Sequence, residues 1–328
     1  MNLLGIDIGG TKIAVTIGND NGELFSSLRI DNNDRAPDAV IPEIIEAGKK
    51  LVAEHSGTQG VEAVGIGAPA PCDIPNGIIV SPFNMPKWKN VHITSIISDA
   101  FGVQAFFDND ANAGALAEWF FGAGQGCRNM IYLTLSTGIG GGIIAEKRLL
   151  HGAANYAGEL GHVVLDINGP ECSCGLRGCY EAFCGGRSIA ARLKNEIKKD
   201  SNHPLLQYCG GNPDLIDMKI LETAVRDDNP YAVKFWDTMC MRNAQAIGQF
   251  MNIFNPEKII LGTIAWASGE LFMKPLKQYL SQFSWPETAN ACDVTVTALG
   301  REIGEYSGIA VALNSLYEKG KWTPPFLP

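Results

Sequence analysis

Residues 3–18 read Leu-Leu-Gly-Ile-Asp-Ile-Gly-Gly-Thr-Lys-Ile-Ala-Val-Thr-Ile-Gly. Two apolar runs, 3–8 and 12–18, flank a Gly-Gly-Thr turn and read as paired strands. The same pattern returns further on, with an apolar strand over 130–136, the turn Thr137-Gly138-Ile139-Gly140-Gly141-Gly142, and a strand over 143–146. Two copies about one domain apart predict two related α/β halves, each offering a loop of phosphate size. Outward from the first copy, 23–30 reads as a third strand, 38–54 as a helix with apolar side chains at helical spacing, and 61–67 as another strand. Residues 111–121, 229–253 and 304–318 read as helices and 258–262 as a strand; the Pro-rich tail from Lys319 reads as loose. The expected domains are 1–115, with a terminal helix at about 303–320 packing back on it, and 116–302.

The chain has 328 residues, 46% hydrophobic and 19% charged, which excludes wholesale disorder. Its formal charge of −9 makes it a poor non-specific partner for nucleic acid or anionic membrane. The uncharged stretch Asn129–Ala145 is 17 residues long and glycine-interrupted, too short to span a bilayer. No basic start precedes an apolar run at the N-terminus, so no signal peptide is expected. Nine cysteines, an odd number in a long chain, point to a reducing, cytoplasmic setting with thiols used for metal or packing.

The sharpest local motif is Cys172-Ser-Cys174-Gly-Leu-Arg-Gly-Cys179, three thiols in eight residues with glycines that let the chain fold back. A fourth ligand, His162 upstream or Cys184 downstream, would close a tetrahedral structural zinc site. In the first Gly-rich turn, Asp7, Gly9, Gly10, Thr11 and Lys12 offer a carboxylate for Mg²⁺, backbone amides, a hydroxyl and a positive charge. Thr137 and Gly138 repeat the loop chemistry. No Walker A pattern is present. Asn109 and Asp110 sit where a short strand passes into a helix. Asp110 is there either an N-cap or a general base for a substrate hydroxyl, with Asn109 orienting that hydroxyl. Glu159 and Glu181 flank the thiol motif, and carboxylates are good acceptors for sugar hydroxyls.

Together the segments DIGGTK (7–12), GIGAPAP (65–71), DNDAN (108–112), STGIGGG (136–142), GELGH (158–162) and CSCGLRGCYEA (172–182) resemble the ROK family (repressor, open reading frame, kinase), specifically its sugar kinases. The resemblance covers nearly the whole chain. It implies a two-lobed actin-like, hexokinase-type fold with ATP and sugar in the cleft, and phosphorylation of a hexose, usually at the 6-hydroxyl. Carried onto matching positions, Asp110 is the base. Asn109, Glu159, His162 and Glu181 contact the sugar, with Gly67 and Asn84 as further candidates. His162 then also joins Cys172, Cys174 and Cys179 on a zinc that organises the sugar pocket. Asp7, Gly9, Gly10, Thr11, Lys12, Thr137 and Gly138 hold phosphates and Mg²⁺, with Gly262 near the adenine.

Three features depart from the family pattern: Ala70 and Ser136 replace frequent glycines, and Gly262-Thr263-Ile264 replaces a glycine run. Glucose is the foremost expected substrate, with N-acetylmannosamine and N-acetylglucosamine next. The reading of another class is a sugar-sensing regulator, but strand one begins at about Leu3 and leaves no residues for its DNA-binding module. An actin-like ATPase or scaffold would not need the thiol motif or its flanking glutamates. The resemblance further suggests a homodimer or homotetramer.

Overall fold

In the computed structural model, which describes residues 1–57 and 60–327, the chain forms two compact units. The first comprises 1–128, 142–158 and 298–328, and the second 129–141 and 159–297. The division differs from the expected boundary at 115/116 because the helix spanning that point, Asp110–Phe121, lies wholly in the first unit.

The first unit opens with the meander β1 (Asn2–Ile8), β2 (Lys12–Asn19) and β3 (Leu24–Asp31), followed by α1 (Pro37–His55) and β4 (Ala63–Ala68). α1 buries Val40, Ile41, Ile44, Gly48 and Leu51, the stripe its periodicity announced. Then come the short β5 (Cys72–Asp73) and β6 (Ile78–Ile79), α2 (Ile93–Phe101), β7 (Ala105–Asn109) and α3 (Asp110–Phe121). The chain enters the second unit through β8 (Met130–Leu135), and returns to the first within β9 (Ile139–Ala145) before β10 (Arg148–Leu149). The rest of the second unit holds α4 (Tyr180–Cys184), α5 (Gly186–Lys199), α6 (Met218–Arg226), α7 (Pro230–Phe254), β11 (Lys258–Leu261), α8 (Ile264–Ser268), α9 (Glu270–Leu280), α10 (Pro286–Ala291) and β12 (Asp293–Val296). α11 (Ile303–Glu318) closes the first unit.

The sheets run β3-β2-β1-β4-β7 and β10-β9-β8-β11-β12, so an antiparallel pair edges a parallel core in each. β9 starts at Ile139, not at 143, because the glycines of 140–142 pair in the ladder and leave only 136–138 as the turn.

Small residues let α11 lie against the first sheet. A Cβ on Gly308 would stand 2.3 Å from the Ile6 nitrogen, and one on Gly65 would stand 2.0 Å from the Gly308 carbonyl oxygen. Since the colliding atoms are backbone, Gly308→Ala is expected to cost about 1–3 kcal/mol. Urea unfolding of that variant checks it, and an unchanged midpoint would contradict the packing. The tail after Lys319 is held rather than loose: Trp322 packs edge-on to Phe120 at 5.1 Å and Phe326 to Trp119 at 5.9 Å.

Candidate active site

In the first unit the parallel register brings Asp7 level with Gly67, and Gly67 level with Asp108. The carboxyl ends of β1, β4 and β7 therefore meet in one place, where open α/β sheets bind ligands. A Cβ on Gly67 would stand 3.7 Å from Asp7 Oδ1 and 4.0 Å from the Asp110 Cα. The turn between β1 and β2 closes through Gly9 N–H donating to the Lys12 carbonyl at 3.0 Å, so the Gly9 amide is already used. Thr11 and Lys12 are exposed. Asn84 lies against the turn, its Nδ2 2.9 Å from where a Gly10 Cβ would be. Asp7, Gly9, Gly10, Thr11, Lys12, Gly67, Asn84, Asn109 and Asp110 thus gather at one end of one sheet.

Asn109, not Asp110, is the N-cap of α3; its Oδ1 accepts from the amides of Ala111 at 2.9 Å and Asn112 at 3.4 Å. Asp110 is the first helical residue and is exposed, with Oδ1 2.8 Å from the Ala111 amide. Its carboxylate is therefore presented to solvent at a helix N-terminus, where negative charge is favoured. Asp7 sits at the floor of the same corner. Burial first, then Asp110 and Glu305, push its carboxyl up to about 7, with Lys12 opposing.

Two supports escaped sequence reading. A Cβ on Gly304 would stand 2.7 Å from Asp7 Oδ2, which places the start of α11 beside that carboxylate. Asn32, 2% exposed, donates from Nδ2 to the Gly9 carbonyl at 2.7 Å, and its amide donates to the Thr11 carbonyl at 2.9 Å. Neither belongs to a recognisable motif, and both act through contacts remote in sequence.

In the second unit, the loop after β8 is tied at three points. Gly186 N–H donates to the Ser136 carbonyl, Arg187 N–H to that of Thr137, and the Ile139 amide to Glu181 Oε2 at 2.7 Å. A Cβ on Gly138 would stand 2.5 Å from that same Glu181 oxygen. Glu181 therefore braces the loop carrying Thr137 and Gly138. Its other oxygen accepts from Ser173 Oγ at 3.3 Å.

His162, Cys172, Cys174 and Cys179 offer ligand atoms that all lie within 4.8 Å of one another. His162 Nδ1 is 3.6 Å from Cys172 Sγ, and Cys174 Sγ is 3.7 Å from Cys179 Sγ. Three thiols and an imidazole at this spacing fit a tetrahedral zinc. Cys184 is not in the set; its buried thiol points to the Met239 carbonyl. The knuckle closes through Cys172 N–H to the Leu176 carbonyl, Gly178 N–H to the Pro170 carbonyl and Tyr180 N–H to the Val163 carbonyl. Gly178 has φ +76°, and a Cβ there would fall 1.6 Å from the Asp166 carbonyl oxygen, so the fold-back requires glycine. Glu159 Oε2 lies 3.9 Å from His162 Nε2. Burial chiefly raises the Glu159 carboxyl, with Glu181 adding to the rise and His162 opposing it.

A cavity of about 560 Å³ in the second unit is lined by Thr137, Arg187, Met218, Trp236, Thr263 and Ile264, among others. Gly262 does not line it; a Cβ there would meet the Tyr132 hydroxyl at 2.5 Å. Thr263 has φ +49°, a conformation costly for a β-branched residue and one that glycine takes without strain.

Among known proteins, the ROK family model matches residues 3–313. A glucokinase from Thermotoga maritima is 35% identical over 306 residues, covering 93% of this chain and 95% of its own. A xylose repressor from Caldicellulosiruptor bescii is 30% identical over 87% of this chain and 71% of its own length. The crystal structure of a ROK family glucokinase from Streptomyces griseus, in complex with glucose and AMPPNP, superposes with a TM-score of 0.76 at 30% identity, covering 95% of this chain and 99% of that one. With that match running from β1 into α11, the chain belongs to the ROK family and has the two-lobed actin-like fold of its sugar kinases.

Proposed function

We propose that this protein is an ATP-dependent hexose kinase that converts glucose to glucose 6-phosphate, with Asp110 as general base. The observation that carries this reading is the meeting of Asp7, Gly67 and Asp110 at the ends of three strands, with Asp110 exposed and the helix cap made by Asn109. A base must reach solvent or substrate, and the exposed Asp110 carboxylate does. The named activities of the relatives support a sugar kinase, and a complex with glucose and AMPPNP exists for one of them.

In this reading Asp110 accepts the proton of the sugar hydroxyl as its oxygen attacks the γ-phosphorus, and ADP leaves. Asn109 keeps its Nδ2 for the same hydroxyl region, since only its Oδ1 is used in the cap. Glu159, Glu181 and the outer nitrogen of His162 take sugar hydroxyls, with Gly67 and Asn84 as further contacts. Gly10, Thr11, Lys12, Thr137 and Gly138 hold phosphates, with Gly9 closing the turn that presents the first of them. The 560 Å³ cavity suits an adenosine, with Gly262 next in sequence to the lining residue Thr263. Asp7 would hold Mg²⁺, which neutralises charge on the β- and γ-phosphates. Zinc on His162, Cys172, Cys174 and Cys179 would fix the knuckle from which both glutamates project. Nine cysteines with none in a disulfide suit a cytoplasmic setting.

Because Asp7 is held near 7, a cation on it competes with a proton. The half-saturating Mg²⁺ concentration at fixed MgATP is expected to fall by about tenfold per pH unit below that value and to level off above it. The same shift means that the metal-free protein loses stability as pH rises from about 4 towards 7, since its unfolded state ionises more readily. A flat Mg²⁺ requirement from pH 6 to 8 would remove Asp7 from the metal site.

The test of the function is ADP release from MgATP against glucose, mannose, fructose, allose, N-acetylglucosamine and N-acetylmannosamine. Strong turnover on glucose is expected. Preference for an N-acetylhexosamine would move the substrate, and no turnover with any sugar that nevertheless binds would favour the regulator reading, which the similarity to a xylose repressor keeps open.

A further inference from the structure

The residue two before the proposed base carries a buried carboxyl group. Asp108, at the end of β7, has a side chain 5% exposed. Its Oδ1 accepts from the Asn109 amide at 2.8 Å and from Asn112 Nδ2 at 2.8 Å. Its Oδ2 lies 2.7 Å from His151 Nε2. These three groups build the corner between β7 and α3: Asn109 is the helix cap, and Asn112, 2% exposed, stands one turn along the helix. Of the three partners only His151 can bring a formal positive charge. A buried carboxylate without a counter-charge is costly, and losing one partner of such a pair costs more than the pair contributes.

His151 comes from a distant segment, the loop after β10, which is closed on itself by the Ala157 amide donating to the His151 carbonyl at 3.0 Å. Its side chain is 24% exposed. The imidazole is raised above its ordinary value, first by the hydrogen bond to Asp108; burial opposes, and the Asp108 and Glu318 charges add to the rise.

We propose that His151 is a positioning residue: paired with Asp108, it locks the Asn109–Asn112 corner and thereby fixes the direction in which Asp110 projects. The inference rests on the reading of Asp110 as base for its catalytic consequence, but not for the lock itself. An unlocked corner would leave Asp110 chemically intact and misdirected, and misplacement of a base by about 1 Å is worth up to roughly a hundredfold in rate.

The test compares wild type, His151→Ala, His151→Gln, Asp108→Asn and the Asp108→Asn/His151→Ala double variant. Steady-state kinetics and amide hydrogen exchange at Ala111 and Asn112 are measured on each. Gln places an amide donor near the position of the imidazole Nε2. The expected result is a fall in kcat of about tenfold or more in His151→Ala with KM for ATP within about twofold, and recovery of most of that loss in His151→Gln. Exchange at the corner should quicken in His151→Ala, and removing His151 should add little once Asp108 is Asn, because coupled residues are not additive. A His151→Ala protein with wild-type kcat and wild-type exchange would overturn the proposal. So would a fall in kcat that His151→Gln does not restore, or one with unchanged exchange. If the wild type turns over no sugar, the kinase reading falls, and the exchange arm alone decides whether the pair locks the corner.

Discussion

Asp110→Asn is expected to lower kcat by roughly 10²–10⁴-fold, the range for losing a general base. The substitution is close to isosteric. Its Oδ1 can still accept from the Ala111 amide, which in the native protein is 2.8 Å away. The α3 cap stays intact, because it is made by Asn109. An amide cannot take up the hydroxyl proton, so the loss should fall on the chemical step, with KM for sugar and ATP changed only a few-fold and the thermal midpoint close to wild type. Asn109→Ala supplies the contrast. It removes the oxygen that caps two amides and should cost about 1 kcal/mol of stability before any effect on turnover. Steady-state kinetics with a thermal melt on each variant separates the two roles. Retention of turnover in Asp110→Asn would take Asp110 out of the mechanism and leave the corner as a phosphate-positioning helix start.

Cys174→Ser should release zinc and sugar together. Cys174 is the informative choice because it is the exposed member of the four, whereas Cys172 and Cys179 pack with Ala182 in a small core of their own. Its removal changes the ligand set without opening a cavity. A structural zinc is held by four protein ligands, and the loss of one thiolate breaks that closed tetrahedral set. Glu159 precedes His162 by three residues, and Glu181 follows Cys179 by two on α4. Both therefore inherit their direction from the knuckle. Glu181 also braces the loop of Thr137 and Gly138, so the disturbance should reach the phosphate side of the second unit as well. Zinc content near one per chain in wild type and below about a tenth in the variant is expected, with sugar affinity falling by about a hundredfold, the upper end for disturbed metal-site neighbours. Measured by metal analysis and calorimetric titration of glucose, wild-type sugar affinity in a zinc-free variant would refute the organising role.

The sequence by itself determined what is local. The paired strands around Gly9–Lys12, the helix read over 38–54, the helix read over 111–121 and the three clustered thiols of Cys172, Cys174 and Cys179 are all set within about twenty residues. Strand alternation, helical periodicity and short-range ligand spacing write such features directly into the chain. The family resemblance then extended the reading to the architecture, which the match over 3–313 confirms. Only the tertiary structure decided the rest. It placed Asp7, Gly67 and Asp108 level on three strands, a matter of register between segments about forty to sixty residues apart. It set Gly304 beside Asp7 and bound Asn32 under the first turn, contacts with no local signature. It gave the cap to Asn109 and made Asp110 the first helical residue, a choice between neighbours that either side chain could have filled. It returned 142–158 to the first unit and brought His151 onto Asp108. Pairings of this kind are fixed by how buried surfaces close over one another, and a buried charge finds its counter-charge only once that closure is known.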